Sequence, residues 1–510
     1  MQSSEITDKY YLKVLIWICV IWFLVWSFVP FIFFEGIFSD IFTSSVVIKQ
    51  HLTWGYNRQP YFGTWLSGGV FLFGDLRFGY LCCQIFILIC ILSIWKLARY
   101  FLPRAESLIA VLLVLVTPTF SFLNLVFCQN VMLMGFWALI ILFFYKALLN
   151  QKYIDWLLLG LFCGLGLMTK YFCAFLFVPM ALLILFTKEG RSSFTRLGLY
   201  FCGIVFLIAI IPNIIWLFDN QFVSVTYGLK RTDLTTVIPL MDHIFSPLKS
   251  IGLIVGNLAL AIILVFACFP KRNSEPVYAI SSFTKKYINL MCLTPLLILI
   301  LFAVITGGYI KPEWLFPLSV PLGVFAVMYW RPVISKEKFN KFLVLASIVL
   351  ILAVIGILFA IMYYYPYKHD KMEVTPYPTY PIANVMTEEW HKEYHQQLKY
   401  VIGEYQFAAI VSYFGEDHPT AIVMDPLAPV PYSQYMNDIK KYGALLIWRG
   451  SELAPWMDKF KDDSITKYHT KAFSMPVKPW FERLIKNWTG EIPKTQDISF
   501  AFIPPQNEVK

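Results

Sequence analysis

The sequence predicts a polytopic α-helical membrane protein of about eleven transmembrane helices, followed by a small C-terminal α/β domain in water. Three observations carry that expectation. Hydrophobic residues make up 58% of the 510 residues and charged residues only 15%, with a mean hydropathy of +0.63, an apolar share no soluble domain could hide. The long apolar runs lie in residues 1–365, whereas 366–510 have ordinary polar spacing. The change falls at Tyr363-Tyr364-Tyr365-Pro366-Tyr367, an aromatic cluster suited to the membrane–water interface, where a ring keeps one edge wet.

Stretches long enough to cross about 30 Å of hydrocarbon run over 12–34, 78–98, 105–123, 126–145, 153–169, 171–187, 197–217, 247–269, 288–306, 313–330 and 342–365. The first is too long for a cleaved signal peptide and lacks an A-x-A-like site, so it is expected to stay as helix one. An odd number of crossings puts the termini on opposite sides. Lys and Arg crowd alternate loops: Lys96, Arg99 and Arg104; Lys146 and Lys152; Lys188, Arg191 and Arg196; Lys271, Arg272, Lys285 and Lys286; Arg331, Lys336, Lys338 and Lys341. The positive-inside rule makes these loops and the N-terminus cytoplasmic, and leaves 35–77, 218–246, 307–312 and 366–510 outside.

Charge divides at the same boundary. Residues 366–510 hold sixteen Lys and Arg against eighteen Asp and Glu, a net of about −2, so the basic excess behind the overall +10 belongs to the membrane half. It sits in short loops between apolar runs and forms no extended patch or arm, which argues for topology determinants and against nucleic acid. The ten cysteines all fall inside expected spans without metal-site spacing and read as small buried apolar residues.

Unusual chemistry collects in the outer loops. The first is about forty residues long, more than a connection needs. It carries Glu35 and Asp40, then Gln50-His51-Leu52-Thr53-Trp54-Gly55-Tyr56-Asn57-Arg58-Gln59-Pro60-Tyr61. Two acids, a cation and aromatics beside a bilayer can bind a charged lipid and a sugar; position alone favours solvated loop carboxylates. Segment 61–74 is short and apolar, as an interfacial helix would be. Lys170 stands alone in a short outer turn, on the side the charge bias disfavours, which points to an anionic phosphate or to snorkelling. Gly307-Gly308-Tyr309-Ile310-Lys311-Pro312-Glu313-Trp314 likewise puts a cation, an acid and a tryptophan at an outer helix start.

Five stretches in order carry a family resemblance. Trp54-Gly55-Tyr56-x-x-Gln59-Pro60-x-x-x-Thr64-Trp65-Leu66 is similar to W-G-Y-x-x-Q-P-P-L-Y-x-W-L; Asn130 to Trp137 looks like a fourth-helix motif, and Gly164 to Tyr171 like G-x-x-x-L-x-K-Y. Pro212-Asn213-Ile214-Ile215-Trp216-Leu217-x-x-Asn220-x-Phe222 is similar to P-H-x-x-W-L-x-x-N-x-F, and Lys311 to Pro317 to K-x-x-W-L-x-P. Thr387-x-x-Trp390 and Val401-x-Gly403 match one bacterial subgroup. In these the chain resembles the polyprenyl-phosphate-dependent glycosyltransferases of the GT-C type, in the family-39 (PMT_2) branch related to protein O-mannosyltransferases and lipid A aminoarabinose or galacturonic acid transferases.

The resemblance implies an inner-membrane hexosyl- or pentosyltransferase of a bacterium, with the domain 366–510 in the periplasm. It would transfer a sugar with inversion from a polyprenyl-phosphate donor to an envelope acceptor: lipid A, lipopolysaccharide or another glycan first, protein second. Asp40 is the best positional match to the catalytic acid of the first outer loop, followed by Glu35. Lys170, Lys311 and Arg58 would hold the donor phosphate, and Tyr56, Gln59, Tyr171, Asn130 and Trp314 would line the substrate site. No cofactor is certain; a divalent metal, held by the first-loop acid in those relatives that use one, is what the resemblance allows. Two departures bear on it: many relatives have an acid where Asn130 stands, and their first-loop acids come closer together than Glu35 and Asp40. Tyr61 replaces the second proline of Q-P-P, and Asn213 the histidine of P-H-x-x-W-L.

In the C-terminal domain, helix-like and strand-like pieces alternate: 387–399, Val401-Ile402, 405–413, Thr420 to Met424, 433–441, Ala444 to Trp448 and Ile498 to Ile503. No dinucleotide, P-loop, zinc or nucleophile-elbow motif is present. His391 and His395, four apart beside Glu388 and Glu393, read as a solvated helix face, and acceptor recognition or capping of the active site is the expected role. Two rival readings stand. A lipid or solute transporter needs as many spans, but the sequence has no convincing internal repeat, and its polar residues gather at one face and not at the midplane. An inactive family member acting as a scaffold is the other, kept open by Asn130.

Overall fold

The computed structural model describes residues 2–121, 125–231, 239–272, 278–308, 310–369, 376–424, 432–460, 465 and 468–506, the side chains of 2–8, 432 and 433 excepted. Tyr309 and residues 122–123, the end of one expected crossing, lie outside them.

The chain is a polytopic α-helical membrane protein with a C-terminal sheet domain. Among the described residues seven helices are long and apolar enough to cross a bilayer: Lys9–Phe33, Leu76–Ala98, Gln129–Asn150, Leu197–Asp219, Asp242–Cys268, Ser282–Thr306 and Lys336–Lys368. Two bent pairs raise this to nine, Tyr171–Phe186 with Lys188–Thr195 at 85° and Pro312–Leu318 with Leu322–Trp330 at 59°. The remaining two of the eleven expected crossings are shorter helices. Tyr153–Thr169 has 17 residues. Arg104–Leu115 stops before Pro118, whose ring cannot continue the hydrogen-bond ladder, and a separate turn Pro118–Ser121 follows. Apolar composition thus marked each of these eleven helices among the described residues, and the breaks came from residues that an apolar count does not register.

The described chain forms two compact units. The first comprises Met1–Phe28, Trp54–Gly63 and Tyr80–Ile355; the second comprises Val29–Thr53, Thr64–Gly79 and Gly356–Lys510. The first outer loop is therefore divided, with its WGY segment in the first unit and its acids in the second.

In the first unit Gln129–Asn150 is the central helix, 83% buried over its apolar window, while Asp242–Cys268 is only 22% buried and offers its flanks to lipid. Gln129–Asn150 packs on Tyr153–Thr169, which packs in turn on Leu197–Asp219. Two short strands, β1 (Gly55–Tyr56) and β2 (Gln59–Pro60), make a tight antiparallel hairpin with Tyr56 opposite Gln59.

The second unit is built on a five-stranded mixed sheet of β3 (Tyr400–Gly403), β4 (Thr420–Val423), β5 (Ala444–Arg449), β6 (Tyr468–Ser474) and β7 (Thr495–Ile503), in the order β4-β3-β5-β7-β6. β3 is parallel to both β4 and β5, and β7 is antiparallel to β5 and β6. Ile402, Leu446, Trp448 and Ala501 are fully buried in its core. The expected α/β alternation is present; β6 and the helix Pro479–Thr489 are additions to it. His391 is not simply solvated, since its Nε2 lies 2.7 Å from Asp417 Oδ2, which also accepts from Leu398 N at 2.6 Å. His395 ends its helix in the left-handed region, at φ 52°.

Candidate active site

In the first unit the resemblance motifs converge through side-chain hydrogen bonds. Lys170 follows the last residue of Tyr153–Thr169, and its ammonium donates to Asn130 Oδ1 in the first turn of Gln129–Asn150. An amide accepts that bond without cancelling the ammonium charge, as a carboxylate would. The next residue, Tyr171, donates its hydroxyl to Asn213 Oδ1 at 2.9 Å and lies 3.2 Å from Ser224 Oγ. Asn213 Nδ2 in turn donates to Trp54 O at 2.6 Å.

Asn213 thus spends one amide on two motifs, accepting from Tyr171 and donating to the WGY backbone. Its replacement of histidine keeps that pattern, since a neutral imidazole also carries one acceptor and one donor. Three further contacts hold the hairpin. A Cβ on Gly55 would lie 2.2 Å from the Trp216 ring, so only glycine lets the strand lie flat on it. Tyr61 donates its hydroxyl to Ala209 O at 2.9 Å, and burial pushes that phenol's pKa up. Arg58, at the hairpin tip, sits over the Tyr227 ring at 5.7 Å. Lys311 precedes the 3₁₀ turn Pro312–Trp314, and the Trp314 ring packs at 6.2 Å on Phe172, two residues beyond Lys170.

Asn130, Lys170, Tyr171, Tyr56, Gln59, Arg58, Lys311 and Trp314 therefore all belong to one compact unit. Ser224 and Tyr227 also touch this cluster, and the sequence did not single them out. Both lie just past the Asn220-x-Phe222 motif, on a helix Val223–Lys230 whose apolar pattern is too short to read.

The two candidate acids are in the second unit. Asp40 stands exposed in the first turn of the helix Ser39–Gln50, where a carboxylate meets the positive end of the helix dipole. That helix is fixed to the domain behind it: Phe42 packs edge-on against Tyr377 and Phe414, and Lys49 Nζ lies 4.2 Å over the Tyr413 ring. Glu35 is engaged differently, its Oε2 2.9 Å from Lys478 Nζ. Among the described residues no three His, Cys, Asp or Glu gather as metal ligands, and Glu35 and Asn130 already hold lysines.

Fold and site together define the class, a polytopic helical membrane protein with a C-terminal sheet domain. Residues 58–216 match the model of a family described as dolichyl-phosphate-mannose-protein mannosyltransferase, the PMT_2 kind expected from the motifs. Solved structures of ArnT from Cupriavidus metallidurans share the fold over nearly the whole length. The one bound to undecaprenyl phosphate has a TM-score of 0.58 at 11% identity, over 96% of this chain and 98% of that one. The apo structure gives 0.57 at 12% identity, over 97% and 98%. Comparison with curated protein sequences finds no match.

Proposed function

We propose that this protein is an integral membrane glycosyltransferase that moves a hexose or pentose from a polyprenyl-phosphate donor to an envelope acceptor at the periplasmic face of the inner membrane. Lipid A, lipopolysaccharide or another glycan is the favoured acceptor and protein the second. The observation that carries the reading is the linked cluster Asn130–Lys170–Tyr171–Asn213–Trp54, in which residues from four separate motifs meet, all but Trp54 inside the matched segment. A fold relative holding undecaprenyl phosphate supports the donor class.

Lys170, with Lys311 and Arg58, binds the donor phosphate. Asp40 accepts the proton of the acceptor hydroxyl as its oxygen bonds to the anomeric carbon. The bond from that carbon to the phosphate oxygen breaks, its electron pair stays on the phosphate, and the lysines stabilise that charge. One displacement inverts the anomeric centre. Asp40 is preferred to Glu35 because it is the better positional match to the first-loop acid of the family the motifs resemble. No step runs through a metal ion.

The test is transfer of radiolabelled sugar from polyprenyl-phosphate donor in membranes, with the native protein and with Asp40→Asn. Transfer that depends on Asp40 supports the reading. Donor binding without any transfer would favour the scaffold, and donor-independent movement of lipid across the bilayer would favour the transporter.

A further inference from the structure

The helix Pro479–Thr489 of the second unit has an apolar arc that its own domain only half covers. Ile485 is buried and Phe481 half-buried, whereas Trp480, Leu484 and Trp488, spaced four apart on one stripe, are 52%, 45% and 83% exposed. Ile492 just beyond is 66% exposed. Arg483 and Lys486 lie on the polar side, both exposed. Three exposed large side chains in one row on a short helix are unusual for a face that meets only water.

Contacts at both ends of this helix fix what it meets. At its start Trp480 packs on Phe33, the last residue of the membrane helix Lys9–Phe33, at 6.4 Å between centroids, and neighbouring Lys478 is bound to Glu35. Beyond its end, Glu491 binds Lys368 Nζ at 2.5 Å and accepts from the Tyr363 hydroxyl at 3.3 Å, and Lys494 N donates to Pro366 O at 2.8 Å. Lys368 is the last residue of the apolar helix Lys336–Lys368. The helix is thus tied at each end to the place where a crossing helix leaves the hydrocarbon, alongside the tyrosine cluster 363–367.

We propose that Pro479–Thr489 is a membrane-surface anchor, whose Trp480, Leu484 and Trp488 enter the headgroup layer of the outer leaflet while Arg483 and Lys486 meet lipid phosphates. An interfacial amphipathic helix has this division of aromatic and aliphatic residues from cations. The anchor holds the sheet domain against the bilayer, a role independent of any catalytic reading.

The full-length protein in liposomes of phosphatidylethanolamine and phosphatidylglycerol provides the test. Nitroxide labels on Leu484→Cys and Trp488→Cys are compared with labels on Asn487→Cys and Glu452→Cys, and native protein treated alike gives the background of the ten natural cysteines. The expected result is a clear excess of oxygen over nickel-chelate collisions at 484 and 488 and none at 487 and 452. Chelate access at 484 and 488 equal to that at 452 overturns the proposal. So does shielding from both reagents, which would mean that a protein surface covers the stripe. Two labelled positions guard against one variant misfolding.

Discussion

Asp40 opens the helix Ser39–Gln50 and Glu35 is paired with Lys478, and the sharpest predictions concern these two acids. Asn matches Asp in size but cannot take a proton, so Asp40→Asn is expected to cut turnover by about 10²–10⁴-fold, the range for a lost general base, with expression and donor binding retained. Glu35→Gln removes an ion pair with Lys478 whose carboxylate is 47% exposed. Such pairs contribute only about 0–1 kcal/mol, so turnover should change little. A sugar-transfer assay on both variants decides, and the reverse order would name Glu35 as the acid. Lys170→Met should weaken donor binding while the protein remains folded; unchanged affinity in a direct binding measurement would return Lys170 to snorkelling. Lys170 was legible because a lone cation on the disfavoured side needs a reason. The double use of Asn213 was not, because a residue's partners depend on which helices meet.

At the scale of elements, an apolar run underlies each described helix long enough to cross, but the bends stayed hidden until packing was visible. β6 was hidden for the opposite reason. Tyr468–Ser474 is an edge strand with five of its seven residues exposed, so it lacks the alternation that marks a half-buried strand. A packing signal in plain view was Gly160-Leu161-Phe162-Cys163-Gly164, the small-xxx-small spacing that lets membrane helices approach closely. A Cβ on Gly160 would lie 2.3 Å from Cys202 O, and one on Gly164 2.5 Å from Ala209 Cβ, both on Leu197–Asp219. Gly160→Leu is therefore expected to force these helices apart at a cost of about 1–3 kcal/mol or more, the range for overpacking. A lowered melting temperature of the detergent-solubilised protein would register it, and an unchanged one would mean that the contact is not tight. Because Leu197–Asp219 also carries Asn213, the same variant should weaken donor binding.

Charge and parity set the orientation expected of the whole molecule. Lys and Arg gather in alternate loops, and eleven crossings, the short and bent helices among the described residues included, would place the two termini on opposite sides. A reporter fused after Tyr367 should therefore behave as periplasmic, and one inserted among Lys271–Lys286 as cytoplasmic. The expectation depends on the two helices that fail a simple span test, Tyr153–Thr169 and Arg104–Leu115. Losing one of them as a crossing would reverse the far end. The loop reporters arbitrate, because Lys146 and Lys152 must lie on the same side as Lys188 and Arg191 if Tyr153–Thr169 and the bent Tyr171–Phe186 each cross once. A cytoplasmic signal after Tyr367 would show that one short helix only re-enters the bilayer, and it would put Asp40 and Lys170 on opposite faces, where no single displacement could use both.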